Sequence, residues 1–456
     1  MGAMTLQLLV ILVPVLLGLL GFAVDLGRLY LIRGELNEAA NAMAISAAQN
    51  LNGTEAAEEN AALAMNATTD QTLGDGNSYN FGIDPLNGYS TGILNNTIAA
   101  PLFFDDMTDA VSGTGTTSAD STTARYVQVN IQADAPLLWW SLLTLGQAQK
   151  TTVGAVATAG ISAPLCTVCR MEDFAVADQS AGADPVDFGF VYNTKYTFHF
   201  DCTGAAGTST ALLDDATISI PYVLIDRYNP NNPVTADETE QLFWIGDGGL
   251  PPLPMSGGNA TANIPFACFM VDGSGGDVEY LWGNGGNGGT STVPGACSAA
   301  AVNAQVEEML CGLYGRFGDP NALTTSTGAS ICAGVTDLVD IATTYQVDTD
   351  LNDYDDYTLY GGNGRRVITV PIVDALTTSA TGTMAVLGFR QFLVTPFADT
   401  NSSYIDPSDA HGRFSAIYIG NVVPVKQGYY NAQGTSPLAP NSCSIVDGPG
   451  KVVLNQ

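Results

Sequence analysis

The residues best suited to chemistry lie in one acidic stretch, DTDLNDYDD at 348–356. Asp348, Asp350 and Asn352 are spaced like the first three ligands of a calcium loop, alternating oxygen donors that can turn inward together. Asp353 stands where an EF-hand needs glycine and Leu359 where it needs glutamate, so this is no EF-hand. An irregular calcium loop would be completed by Asp355 or Asp356 and by backbone carbonyls. Crowded carboxylates repel one another unless a cation lies close. Arg365 and Arg366 follow closely and could supply that charge without a metal. Calcium is therefore the one cofactor the sequence suggests, against the alternative of a solvated acidic loop.

The cysteines number eight: Cys166, Cys169, Cys202, Cys268, Cys297, Cys311, Cys332 and Cys443. CTVCR at 166–170 has CxxC spacing but lacks the following histidine of a haem-attachment site, so haem is not expected. No second CxxC exists to complete a thiolate zinc site, and His199 and His411 are the only histidines. Disulfides in an exported protein are the better reading, with their pairing left open.

Catalytic patterns are missing. The sequence has no GxSxG elbow, no HExxH and no GxxxxGK[ST] phosphate loop, so neither enzyme nor nucleotide binder is expected. His199 alternates with aromatics in YTFHFDC, as a strand residue does, and His411 lies in the loop-like DPSDAHGRF. FACFMVDGSGGD offers Asp272 and Ser274 in the manner of a von Willebrand type A metal site, but Gly276 breaks the pattern and a Gly-rich turn after a strand is the simpler reading. The 456 residues carry 45 Asp+Glu against 14 Lys+Arg, a formal net charge of −31. Such a chain repels nucleic acid, whose binding rests on Lys and Arg at phosphates.

These groups must be positioned by elements whose patterns differ sharply along the chain. Residues 1–24 carry no charged side chain, long enough to span a bilayer as a helix. No basic residue precedes the run, as it would in a secretory signal. The helical pattern then continues: Leu9, Leu16 and Leu20 lie in the apolar run, Asp25 and Arg28 end it, and Leu29, Ile32, Leu36, Ala40, Met43 and Ala47 recur at three- and four-residue spacing. A helix over 4–50 would be roughly 70 Å long, and Asn52-Gly53 offers its stop. Short alternating strands follow at 126–132, 151–161, 217–225 and 366–373. Pro221 and Pro371 mark the last two as edge or bulged strands. A later helix is expected over 305–317, and PLLWWSLLTLG at 136–146 reads as a short helix or turn.

The expected fold class is α+β: a long N-terminal apolar α-helix followed by a large, mainly-β, sandwich-like body. The expected divisions are 1–52 for the assembly helix, 53–163 for a first β-rich module, 164–345 for a Cys-containing β-rich module and 346–456 for a C-terminal β module.

Gly21, Ala23, Asp25, Gly27, Arg28 and Tyr30, followed by ELNEAANAMAISAA, resemble the tight-adherence (Tad) pilus-assembly proteins of the TadE/TadG-like type, relatives of type IV pilins. LLWWSLLTLGQAQKTTVGAVATA and the pair RRVITVPIVDAL and VLGFRQFLVTPF echo further segments of that family. The resemblance implies export through pilus-assembly machinery. The chain would be a structural subunit of an extracellular pilus-like filament, its helices bundled in the core and its acidic bodies outside. Its partners would be copies of itself, the assembly machinery and, before assembly, the inner membrane. Its place would be an extracellular filament or the cell surface, reached through the membrane. The alternative is a membrane-anchored Tad-type assembly or adhesion factor that does not polymerise. The chain departs from many TadG-type members in showing no von Willebrand domain.

Overall fold

A computed structural model describes residues 2–67, 96–113, 115–137, 139, 149–169, 171–172, 174–201, 211–213, 215–226, 268–270, 277–280, 304–319, 332, 347–376, 383–396, 405, 409, 411–426, 428–429 and 447–455. Its helices are α1 (Gly2–Ala48), α2 (Ala57–Ala67), α3 (Met107–Ser112) and α4 (Ala304–Gly315), with a 3₁₀ turn at Tyr357–Leu359. Its strands are β1 (Asn96–Ile98), β2 (Leu102–Phe104), β3 (Tyr126–Leu137), β4 (Gln149–Ile161), β5 (Thr167–Cys169), β6 (Phe174–Ala177), β7 (Lys195–Phe200) and β8 (Ile218–Asp226). They continue as β9 (Cys268–Met270), β10 (Asp277–Tyr280), β11 (Val367–Val373), β12 (Thr383–Val394), β13 (Phe414–Gly420), β14 (Gly428–Tyr429) and β15 (Val452–Asn455). The chain divides into two compact units, Met1–Ile161 with Val452–Gln456, and Ser162–Lys451.

In the first unit a five-stranded antiparallel sheet runs β1-β3-β4-β15, with β2 also on β3. Alternation along β3 buries Val127, Val129, Ile131 and Ala133 on one face, as the period of two requires. Across from them β4 offers Ala155, Ala157 and Ala159. These small side chains leave room for a helix. The second half of α1 fills it, burying Ile32, Leu36, Ala40, Met43 and Ala47 in the same core. The first unit thus recruits β15 from the far end of the sequence, through Ile161 to Thr158 on β4.

The second unit is built on a sheet that closes on itself. Among the described residues β12, β11, β6, β8, β7 and β13 pair in turn, β13 returns to β12, and β10 bridges β12 to β8. The expected α+β class holds, a long apolar helix followed by a mainly-β body, and within that body the sheet of the second unit closes into a barrel rather than stacking as a sandwich. Closure removes the open edges that an exposed sheet must otherwise protect. Its interior is aromatic: Phe174, Tyr196, Phe198, Phe200, Tyr222, Phe392, Phe414 and Tyr418 share one core. Phe198 stacks on Phe414 with ring centroids 5.0 Å apart. Helix α4 adds Val306, Met309, Leu310 and Leu313 to that core, with Phe317 just beyond it. Strands from 164–345 (β6, β7, β8) and from 346–456 (β11, β12, β13) interleave in this one sheet, so the expected division at 345/346 falls inside a single compact unit.

The two prolines lie on inner strands rather than on an edge, β8 running between β6 and β7 and β11 between β12 and β6. Pro221 faces His199 on β7, while the β6 register stops at Tyr222. Pro371 lies next to a register shift between Ile372 and Val373.

Candidate functional site

Helix α1 changes character along its length. Leu9, Leu16 and Leu20 are 61%, 49% and 64% exposed, and large apolar side chains stay exposed as far as Leu31. From Ile32 onward the inward face is buried. Asp25, Arg28 and Leu29 occupy the change, Asp25 buried and the other two half-buried. The Asp25 carboxylate accepts the backbone N–H of Trp139 at 3.1 and 3.2 Å. One turn back, Gly21 lets the Trp139 indole lie on the helix surface, where any Cβ would collide with it. The indole N–H donates to the Leu17 carbonyl at 3.0 Å. Gly21 and Asp25 of the sequence pattern thus have a local task, the seating of Trp139. The spacing of residues along α1 does not reveal this contact, which lies 114 residues away in sequence. The signal available was a pair of tryptophans in an uncharged stretch between two strands.

The acidic loop is organised from within. Asp348 is buried and accepts from the Asp350 N–H at 2.9 Å, the Arg366 N–H at 3.1 Å and the Tyr360 hydroxyl. Burial and the Asp348 charge push the Tyr360 phenol well above its ordinary value. Asp350 accepts from Asn352, Tyr354 and Gly361. Burial works to raise its pKa, and those hydrogen bonds with the Arg366 charge outweigh it and lower it. Asp356 caps the 3₁₀ turn through the Thr358 N–H, the chief cause of its lowered pKa, and accepts from Asn193 at 2.7 Å. Asp355 is exposed. Among the described residues no three or more His, Cys, Asp or Glu side chains converge as metal ligands. Of the five candidate ligands, Asp348, Asp350 and Asn352 share one hydrogen-bond network, Asp356 belongs to another with Asn193 and Thr358, and Asp355 is exposed.

Cations of the chain itself stand close by. Lys195, on the outward face of β7, places Nζ 2.8 Å from Asp353, 2.6 Å from Asp215 and 3.7 Å from Asp355. The hydrogen bond from Lys195 is the main reason the Asp215 pKa is lowered. Arg366 is fully buried over the Tyr360 ring, 5.2 Å from its centroid, and donates to the carbonyls of Asn352 and Val394. Arg316 and Glu172 form a buried ion pair. Lys195 was legible only as a lone cation in a strand of aromatics.

Cys311 on α4 and Cys332 form a disulfide with Cα atoms 6.0 Å apart, and Cys166 is also disulfide-bonded. Cys169 and Cys268 are register partners on β5 and β9. Cys202, Cys297 and Cys443 lie outside the described residues, as do Asp272, Ser274 and Gly276. His199 is a buried strand residue whose Nδ1 is 2.7 Å from the Ser219 hydroxyl. His411 lies in the loop before β13 and its carbonyl accepts the Phe200 N–H.

The uncharged helical run, whose other half is packed on its own sheet, is also the segment that a known family matches. Residues 2–50 match the Tad family, Flp pilus-assembly TadE/G-like. The likeness covers this N-terminal segment, about a tenth of the chain, and supports a pilus-associated protein at the surface or membrane. No curated protein and no solved structure matches it. By length and composition α1 is able to cross a membrane.

Proposed function

We propose that this chain is a structural subunit of an extracellular pilus-like filament. The first half of α1 is held in the inner membrane and then passes into a bundle with the same helices of other copies. The two β-rich units remain outside as an acidic surface. The role is structural rather than catalytic. The observation that carries this reading is the division of α1: large apolar side chains from Leu9 to Leu31 stay exposed while Ile32 to Ala48 is packed on its own sheet. An apolar surface of that extent marks a binding face. Gly18, Gly27 and Gly34 face open space where a side chain would stand. Such positions let helices approach closely, and a head-to-tail contact that does not close gives an open polymer. The charge of −31 per copy then requires screening by salt or cations.

Electron microscopy of shed filaments, with mass spectrometry of their composition, tests the proposal. The chain should be a principal component. Recovery only as single copies in the membrane fraction would favour the anchored, non-polymerising factor.

A further inference from the structure

One turn of α1 carries opposite charges on opposite sides. Its residues run Ile32, Arg33, Gly34, Glu35, Leu36, and Ile32 and Leu36 are buried on the sheet of the first unit. At about 3.6 residues per turn, Arg33 stands to one side of that buried face and Glu35 to the other, with Gly34 between them facing away from the sheet. Arg33 and Gly34 are exposed and Glu35 is half-buried. A side chain at Gly34 would stand in open space. Each side also carries an exposed apolar residue one turn earlier, Tyr30 beside Arg33 and Leu31 beside Glu35. Glu38, exposed, follows on the Glu35 side, and its charge opposes that of Glu35. Among the described residues no salt bridge engages Arg33, Glu35 or Glu38. Arg28, one heptad before Glu35 on that side, already interacts within the chain.

From this geometry we infer that each copy of the chain docks the Tyr30–Arg33 side of its α1 against the Leu31–Glu35–Glu38 side of the next copy. The partner is a second copy because the two sides complement one another: one is apolar with a cation, the other apolar with two carboxylates. A contact between two different patches need not close on itself, and it then extends into an open polymer. The incoming Arg33 offsets the repulsion between Glu35 and Glu38. Gly34, facing outward between the two sides, lets neighbouring backbones approach. Residues 1–24 are uncharged on every side of the helix and carry no such direction. The charges beyond them select which side meets which, as complementary charge does at other interfaces. The inference rests on the filament reading of the proposed function and adds to it the two sides of α1 that meet.

The test uses the full chain in the cells that produce it, with shed filaments read by electron microscopy and mass spectrometry. Arg33→Glu should abolish filaments, because two acidic sides then face each other. Glu35→Lys with Glu38→Lys should abolish them as well, through two basic sides. The triple variant Arg33→Glu, Glu35→Lys, Glu38→Lys exchanges the sides and should restore filaments. Co-production of the two defective chains should restore them too, as copolymers in which the chains alternate. Native filament yield from either defective chain alone would overturn the inference. Loss that the co-produced pair does not repair would overturn it as well, and repair by the triple variant alone would place the pairing within one chain. These results leave the filament reading standing while the native chain is a principal component of its filaments. Absence of the native chain from filaments would overturn that reading and the inference together.

Discussion

Lys195 Nζ stands 2.8 Å from Asp353 Oδ2, and this contact fastens the acidic loop to the barrel. The lysine side chain is 5% exposed and the aspartate 16%. In a chain with so few cations, one of them is spent inside the fold, on β7. Asp215 joins from the segment before β8. Three separated stretches of the second unit therefore meet on one ammonium group.

Lys195→Met should destabilise the second unit by about 3–5 kcal/mol, because removing one partner strands a buried charge. Urea unfolding of the full chain, followed by a probe in the barrel, measures this. A loss under about 1 kcal/mol would mean that the contact behaves as an exposed ion pair.

Chelation should leave the melting temperature unchanged. The carboxylates of 348–356 already accept from backbone amides, tyrosine hydroxyls and Lys195. A melting temperature that rises in calcium and falls in EDTA would support the calcium-loop reading instead.

Cys311→Ser with Cys332→Ser should cost about 3 kcal/mol. The bridge closes a loop of 21 residues in sequence separation, for which chain entropy gives about that amount. It also tethers α4, whose Val306, Leu310 and Leu313 complete the barrel core. Denaturant unfolding of the double variant beside the oxidised native chain reads the difference.

His199 should make the second unit sensitive to acid. Burial, the largest cause, lowers its pKa; neighbouring His411 and Arg413 lower it further and Asp201 opposes them. The folded chain therefore binds this proton less readily than the unfolded chain. Its contribution is complete above the unfolded value of about 6.5 and is lost as pH falls through the depressed folded value. Stability measured from about pH 7.5 to about pH 5 should fall more steeply in the native chain than in His199→Gln. Equal slopes would assign the acid response to other groups.

What the sequence made legible was local. The three- and four-residue spacing of Ile32, Leu36, Ala40, Met43 and Ala47 marks the buried face of α1 correctly. The alternation of Val127, Val129 and Ile131 does the same for β3. What escaped depends on partners distant in the chain. Phe414 pairs with Phe198 and Ile372 with Val176, and periodicity within one strand says nothing about such closure. The acidic loop shows the same limit. Spacing presents Asp348, Asp350 and Asn352 as ligands of one ion, yet Tyr360, Gly361 and Arg366, further along the chain, are what the first two bind.

The central claim is that exposed α1 faces meet one another in a filament. The first cysteine is Cys166, so Leu16→Cys places a lone thiol in the first unit. Leu16 is 49% exposed. Treating filaments of this variant with a short bis-maleimide and separating the products under denaturing conditions tests the claim directly. Covalent dimers, the largest product one thiol per chain allows, are expected from the variant and absent from the native chain. Monomers alone, from filaments or from membranes, would contradict it.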